Sequence, residues 1–474
     1  MIVMMFQWRP SKWDQRFQNP CVVIIRKLSF LEEAVTMTPQ ANGIPSKSAM
    51  GLLFFILPFM IVPAGFALTL EEAISLTIKN LPAYQAVLKK VQSSDALYKA
   101  AYGPYLPSVD VGGSQAWRDT SLGNYDTTNS DASVSLTLFD GFKREANLNI
   151  AKYNLGTDQE ELRKSRLQVD FDVKVSFYTA IATREILDHR KKQLENAKTD
   201  FEVADGRYKF GVAKLSDVLQ ASVRLEQAKF NLIQGEGNVI KALSELSSLI
   251  GKRFDEPYEV EGTLEAPKEA PEEKILADLV LQRPEIRQFE YAVKKAESTR
   301  TLSYSPFYPT LSASAVYSRT GETSITSSFE DRAALLTASW NIFELGKFYR
   351  AKSARIDVGI SEDNLREIER QLLLDLRRNY ENFLTAAKNV DVAATQMKQA
   401  QQNYDQAFGE YKVGKGDILA LVVAEGLLQT AREQVTTSRL NLVLSRSLLE
   451  RNAGLESLDS LKVPAPVQGR SAKP

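Results

Sequence analysis

Residues able to do covalent or metal chemistry are scarce in this chain. Across 474 residues there is one histidine, His189, and one cysteine, Cys21. A transition-metal site draws on several imidazole or thiolate ligands, so no His/Cys metal cluster can be assembled within one chain. No disulfide can close within it either. His189 lies between Asp188 and Arg190. A lone imidazole on a charged stretch has no partner set for catalysis and is expected to be a solvated surface residue. Carboxylates are plentiful but spread along helical patterns, the usual state of a solvated coiled-coil face. There is no phosphate-cradling loop, nucleophile elbow or metal motif, so neither an enzyme nor a cofactor is expected. The formal net charge of +0 lacks the basic excess of a nucleic-acid binder. What stands out instead is turn chemistry. Gly211 is followed by Ser216 and Asp217, and Gly414 by Lys415, Gly416 and Asp417. Glycine permits a backbone reversal, and Ser216, Asp217 or Asp417 is expected to cap the helix that follows.

Those turns sit within a long internal repeat. Leu148, Leu155, Leu162 and Val169 fall at sevens. A step of four follows, then Val173, Ala180, Leu187, Leu194, Phe201 and Tyr208. Adding 203 gives Ala351, Val358, Leu365, Leu372, then Leu376, Phe383, Val390, Met397, Tyr404 and Tyr411, all apolar or aromatic. Past the glycines, Val218, Leu225, Leu232, Val239 and Leu246 match Leu421, Leu428, Val435, Leu442 and Leu449. Pro82, Pro104 and Pro107 answer to Pro284, Pro306 and Pro309 at offset 202, and FDGFK (139–143) to FELGK (343–347) at 204. Each half therefore reads as a first helix (about 70–101 or 273–302), a Pro-flanked corner, two short strands, a very long helix (about 144–208 or 347–411) and a returning helix. At 1.5 Å per residue the long helices reach roughly 95 Å. Sustained heptads over that length indicate a seam buried against neighbouring helices. The domain plan is a first repeat at 68–252, a Pro- and Glu-rich linker at 253–272, a second repeat at 273–454 and a flexible tail at 455–474.

Ahead of the repeats, 1–67 reads as an extension and signal peptide. Lys47, the apolar run Met50 to Ala67 and the small-x-small ending Gly65-Phe66-Ala67 predict cleavage after Ala67. A retained anchor is the competing possibility. The run is only 18 residues and is broken by Pro58 and Pro63, at the bottom of the spanning range. Met37 or Met50 is a candidate start, and Leu68 after the cut offers no cysteine for a lipid anchor.

Four strands are expected, at about 108–118, 132–139, 310–319 and 333–343, with polar loops at 121–131 and 321–331. In SVSLTLF, Val134, Leu136 and Leu138 alternate with Ser133, Ser135 and Thr137. Leu311, Ala313, Ala315 and Tyr317 do the same against small residues, as do Leu336, Ala338, Trp340 and Ile342. Apolar on one face and small-polar on the other, spans of about ten residues suit tilted strands of a membrane barrel. Tyr105, Phe139, Phe307, Tyr308 and Phe343 would form an aromatic girdle at the helix-proximal ends. A soluble sandwich is the bland alternative. Four strands cannot close a barrel in lipid, so several chains must share one.

The whole resembles the TolC-type outer-membrane efflux channel family (outer membrane factors) over about 68–455. The resemblance is carried by LTLEEAISLTIKNLP (68–82), LVLQRPEI (279–286), the YGPYLP and SPFYP corners, the LFDGFK junction, and YKFG (208–211) with YKVG (411–414). It implies a mostly α fold with membrane β: a homotrimer forming a twelve-stranded barrel continuous with an α-helical coiled-coil tunnel. It implies placement in the bacterial outer membrane, in contact with its lipid, and extension into the periplasm. It implies docking onto a periplasmic adaptor (membrane fusion) protein and an inner-membrane transporter in a tripartite efflux or type I secretion system. The docking tips would include Tyr208, Gly211, Asp217, Tyr411, Gly414 and Asp417. Family members often carry aspartates just past the second tip. Here those positions are Ala420 and Val423, so a hydrophobic constriction by Leu419, Val422 and Val423 is expected instead. A non-conducting envelope coiled-coil or adaptor protein is the alternative function, and the amphipathic strands speak against it. Drugs, metal ions and secreted proteins are all compatible cargo for a duct that need not recognise what passes.

Overall fold

The computed structural model describes residues 67–460 apart from 122, 255–257, 270 and 323–324. The expected signal peptide, Cys21 and the tail beyond 460 lie outside the described residues. Both halves fold alike. In the first, β1 (Ala67–Leu68), α1 (Leu70–Asn80) and α2 (Pro82–Ala100) lead to β2 (Ser108–Thr120) and β3 (Gly123–Phe139), then to α3 (Lys143–Lys209) and α4 (Leu215–Ile250). In the second, β4 (Glu259–Val260), α5 (Glu273–Val280) and α6 (Pro284–Tyr304) lead to β5 (Thr310–Glu322) and β6 (Ile325–Ser339), then to α7 (Leu345–Lys412) and α8 (Ile418–Ala453).

The expected single first helix of each half is two helices. Pro82 and Pro284 begin the second of each pair, and the residues before them, Leu81 and Arg283, are extended with ψ of 114° and 150°. Proline forces that geometry on its predecessor and breaks the helix. Thr69 starts α1 with a capping box: its hydroxyl accepts from the Glu72 amide while Glu72 accepts from the Thr69 amide. The 253–272 segment is not a loose linker where it is described. β4 pairs in parallel with β1, and Leu264 is buried beside Phe177 and Ile181. Nor is 455–460 free. Leu458 is buried, and its amide donates to Glu450 Oε1 at 3.1 Å.

The two halves have repeat-related cores. Val169, Val173 and Leu246 pack in the first with Phe177, Tyr84 and Ile250. Their counterparts Leu372, Leu376 and Leu449 pack in the second with Phe383, Leu276 and Ile286. The residues at the four-residue step of the heptads are thus core in both halves. In the first hairpin, however, the most buried line on α4 is Ala221, Ala228, Gly235 and Ala242 rather than Val218, Leu225, Leu232 and Val239. Small residues let α4 approach α3 closely. A Cβ on Gly235 would already stand 3.1 Å from Leu187 and Arg190. An ionic cluster fastens the halves together: Lys174 pairs with Asp170 at 2.8 Å and Glu450 at 2.9 Å, and donates to the Glu456 carbonyl at 2.6 Å.

The strands form one antiparallel sheet in the order β2-β3-β5-β6, with β2 and β6 as open edges. The polar loops expected at 121–131 and 321–331 are mostly strand. Pairing continues to Thr120↔Gly123 and Glu322↔Ile325. In β3 this outer part is mostly polar on both faces, and in β6 only Ile325 and Phe329 break a polar run, so the alternation is weak although Thr, Tyr, Ile and Phe favour extended backbone. The last strand ends earlier than expected, at Ser339, leaving Trp340 to Glu344 as irregular chain before α7. Cross-strand rows confirm the two-faced character. Val109, Val134, Ala315 and Ala334 share one face, and Ser108, Ser135, Ser314 and Leu335 the other.

Candidate functional site

At the far end of each hairpin the chain reverses by the same device. Gly211 and Gly414 have φ of +74° and +83°, a region costly for residues with a Cβ. The Gly211 amide donates to Tyr208 O at 2.8 Å and Val212 to Arg207 O at 2.9 Å; Gly414 and Lys415 donate likewise to Tyr411 O at 3.0 Å and Glu410 O at 2.9 Å. This bonding satisfies the last carbonyls of α3 and α7. The expected caps are not made. Lys214, not Ser216 or Asp217, occupies the N-cap of α4, and Asp417 sits at the N-cap of α8 without a side-chain bond to it. Ser216 Oγ donates instead to Asp217 Oδ1 at 3.2 Å. In both turns the glycine motif alone fixes the reversal.

The six tip residues divide by exposure. Tyr208 and Asp417 are exposed and Asp217 is half-buried, whereas Tyr411 is 1% exposed. Tyr411 is therefore not a surface contact of this chain. It anchors a tip core with Ala204, Ala221, Tyr404, Ile418, Leu421 and Leu428. The three constriction residues also separate. Leu419 and Val423 project from an exposed stripe of α8 that continues to Leu427. Val422 turns toward the tip core, and its carbonyl accepts from Arg224 Nη2 at 2.9 Å.

Several residues absent from the sequence expectation hold the hairpins together here. Arg207 donates to the Tyr411 carbonyl and lies 4.6 Å over the Tyr411 ring. Arg224 faces Glu425 at 3.6 Å. Asp200, buried, accepts from the Tyr404 hydroxyl at 3.2 Å. Burial pushes the Asp200 carboxyl up to about 7. Burial also raises Glu425, against the opposing pull of Arg224. A signal for these residues existed in the repeat itself. Asp200, Arg207 and Arg224 stand opposite Asn403, Glu410 and Leu427, so the cross-hairpin contacts occur where the two copies differ in charge.

His189 is not a solvated surface residue. It is half-buried, with Nε2 at 3.2 Å from Thr436 Oγ1 on α8. Burial first, then Arg432, lowers its proton affinity. Among the described residues no group of histidine, cysteine and carboxylates could hold a metal ion. Likewise no described helix is long and apolar enough to cross a membrane. The four strands form a separate, open sheet. None of the described residues in its four strands is buried on either face, and Val111, Trp117 and Leu336 are 81%, 72% and 69% exposed. A sheet with no described residue buried on either face, joined to helical hairpins of about 100 Å, has the plan of a barrel-and-tunnel channel.

The chain belongs to the outer membrane efflux protein family, which matches residues 73–252 and 275–455. It is 23% identical over 416 residues to the toluene efflux pump outer membrane protein TtgF of Pseudomonas putida, covering 85% of this chain and 84% of the relative. It is 19% identical over 382 residues to the outer membrane protein TolC of Escherichia coli, covering 76% and 77%. The fold is that of solved channels: crystal structures of CusC match with a TM-score of 0.74 at 16% identity over 82% of this chain and 93% of CusC. The VceC structure from Vibrio cholerae matches at 0.73 and 15%, over 81% and 96%. The protein is an outer-membrane efflux channel, with its helical part extending into the periplasm.

Proposed function

We propose that three copies of this chain close a twelve-stranded barrel and a helical tunnel, forming a passive exit duct rather than an enzyme. The observation that carries this reading is the four-stranded sheet with two open edges and, among its described residues, none buried on either face. Open edges cannot stand in lipid, and joining β6 of one copy to β2 of the next removes all of them. Energy is then supplied by an inner-membrane transporter, reached through a periplasmic adaptor at the hairpin tips. Tyr208, Gly211, Asp217, Gly414 and Asp417 form the docking turns, with Tyr411 supporting them from beneath. The envelope coiled-coil or adaptor alternative leaves the sheet's apolar rows unexplained. Detergent extraction of the outer membrane is expected to give a trimer that conducts ions in planar bilayers. Recovery as a detergent-free soluble monomer would overturn the proposal.

The exposed stripe of Leu419, Val423 and Leu427 supports a hydrophobic constriction at the periplasmic end, without Val422. Val423→Asp is expected to change single-channel conductance and to introduce block by divalent cations. Unchanged conductance and block would place Val423 away from the pore.

A further inference from the structure

The corner where strand becomes tunnel helix holds a cation in each half, half-buried in the first and buried in the second. In the first, Asp140 and Gly141 follow β3, and Gly141 at φ +67° has Ser305 O only 2.6 Å from where a Cβ would stand. Arg144, in the first turn of α3, reaches back over this corner. Its Nη1 donates to the carbonyls of Thr137 at 2.6 Å and Pro104 at 3.3 Å, and its Nη2 to Leu138 O at 3.0 Å. The guanidinium lies 5.1 Å over the Tyr105 ring and is paired with Asp140 at 3.2 Å.

In the second half Lys347, in the first turn of α7, is 1% exposed. Its Nζ donates to Asn341 O at 2.6 Å, Ile342 O at 3.2 Å and Pro306 O at 3.5 Å, 4.8 Å over the Phe307 ring. No ion pair to Lys347 is found among the described residues; Glu344 pairs with Arg350 instead.

The partners correspond one by one: Pro104 with Pro306, Tyr105 with Phe307, and the Thr137 and Leu138 carbonyls at the end of β3 with the Asn341 and Ile342 carbonyls just past β6. Arg144 and Lys347 are 203 residues apart, the helical offset. The offset of 204 that aligns FDGFK with FELGK would instead pair Lys347 with Lys143, which is exposed. The glycines are not equivalent either. Gly346 has no positive φ and lies inside α7. What the corners share is the cation and its carbonyl set, not the glycine.

We propose that Arg144 and Lys347 are repeat-related positioning residues that fix the angle at which each strand pair meets its tunnel helix. The chemistry explains why a cation is used. Where a ladder ends and the chain turns, consecutive carbonyls lose their strand partners, and buried acceptors must find others. A single ammonium or guanidinium carries enough donors to gather three carbonyls from two separate segments. Carbonyl dipoles and the aromatic face together hold the Lys347 charge out of water. The lock ties the strand end, the Pro corner and the first helical turn into one body. Movement of the helices at the distant tips then need not deform the barrel mouth. The inference concerns an elbow within one chain and does not depend on how many chains close the barrel.

The test is a distance across the elbow. In a Cys21→Ser background, nitroxides at Leu335 and Lys352 are introduced and the labelled chain is diluted in excess unlabelled chain. Double electron–electron resonance is then compared for Lys347, Lys347→Arg and Lys347→Met. The Lys and Arg forms are expected to share one narrow distance, and the Met form to give a broadened or shifted distribution. A Met form as narrow and unshifted as the parent overturns the proposal. If the Met form does not assemble, Lys347→Arg decides: parental assembly and distance support a cation lock, whereas failure or an altered distance overturns it. Arg144→Lys applies the same criterion to the first corner.

Discussion

Val134→Arg is expected to abolish assembly in the outer membrane, while Ser135→Arg, one residue away, is tolerated. Val134 lies in the row with Val109, Ala315 and Ala334, and Ser135 in the row with Ser108 and Ser314. Ser108 and Ser135 hydroxyls are 2.8 Å apart, the small polar contact suited to a wet face. An arginine on the lipid face of a barrel costs about 2–4 kcal/mol near the midplane. Three copies multiply that penalty, and the sheet has no internal core with which to resist it. On the lumen side the same charge is solvated and changes selectivity instead. The measurement is the amount of trimer in the outer-membrane fraction, with bilayer conductance of whatever assembles. If both variants assemble equally, neither face meets lipid. If only Ser135→Arg is lost, the faces are reversed.

The second large effect is expected at Asp200. With its proton held up to about 7 in the folded chain against about 3.9 in an unfolded one, the native state binds this proton more tightly. Stability from this group is therefore complete at pH below the unfolded value, falls as pH rises toward 7, and is flat above. The full penalty is at most about 4 kcal/mol per chain. Between pH 5 and pH 8 the loss is roughly 3 kcal/mol by the same linkage. Asp200→Asn keeps an acceptor for the Tyr404 hydroxyl but carries no charge. It is expected to raise the thermal midpoint at both pH values, and by clearly more at pH 8, where about 4 rather than about 1.5 kcal/mol of the penalty is present. His189 works in the opposite direction: its lowered proton affinity costs stability at acid pH. Circular dichroism melts of the variant and parent at both pH values therefore isolate Asp200 by difference. A variant no more stable than the parent at pH 8 removes the buried-charge explanation.

Much of the scaffold was legible because coiled coils and amphipathic strands write their periods into sequence. Leu372, Leu376 and Leu449, with Val169, Val173 and Leu246, were found by period alone and are core. The α4 seam was misplaced because alanine and glycine at Ala221, Ala228 and Gly235 carry little hydrophobic signal, yet they decide how near two helices come. Strand length was underestimated for a related reason. Beyond the apolar band β3 is mostly polar and β6 keeps only Ile325 and Phe329 as apolar residues, so period-2 alternation weakens although pairing does not. The missing caps at Asp217 and Asp417 show that residue type at a turn gives opportunity only. Asp417 occupies the N-cap of α8, yet its carboxylate accepts from no amide of that helix.

By itself the sequence determined that this chain is a duplicated helical hairpin with a sheet too small to close alone, and that one histidine and one cysteine cannot build a His/Cys metal cluster within it. Those properties follow from local periodicity and composition, which any folded partner must respect. Only the tertiary structure decided which residues bridge the hairpins. Asp200 meets Tyr404, Arg207 covers Tyr411, Arg224 faces Glu425, and Lys347 rather than Gly346 answers to the first corner. Each contact joins segments about 40 to 200 residues apart or depends on one turn's exact path. Charge complementarity across such separations has no period, so it appears only when packing brings the partners together.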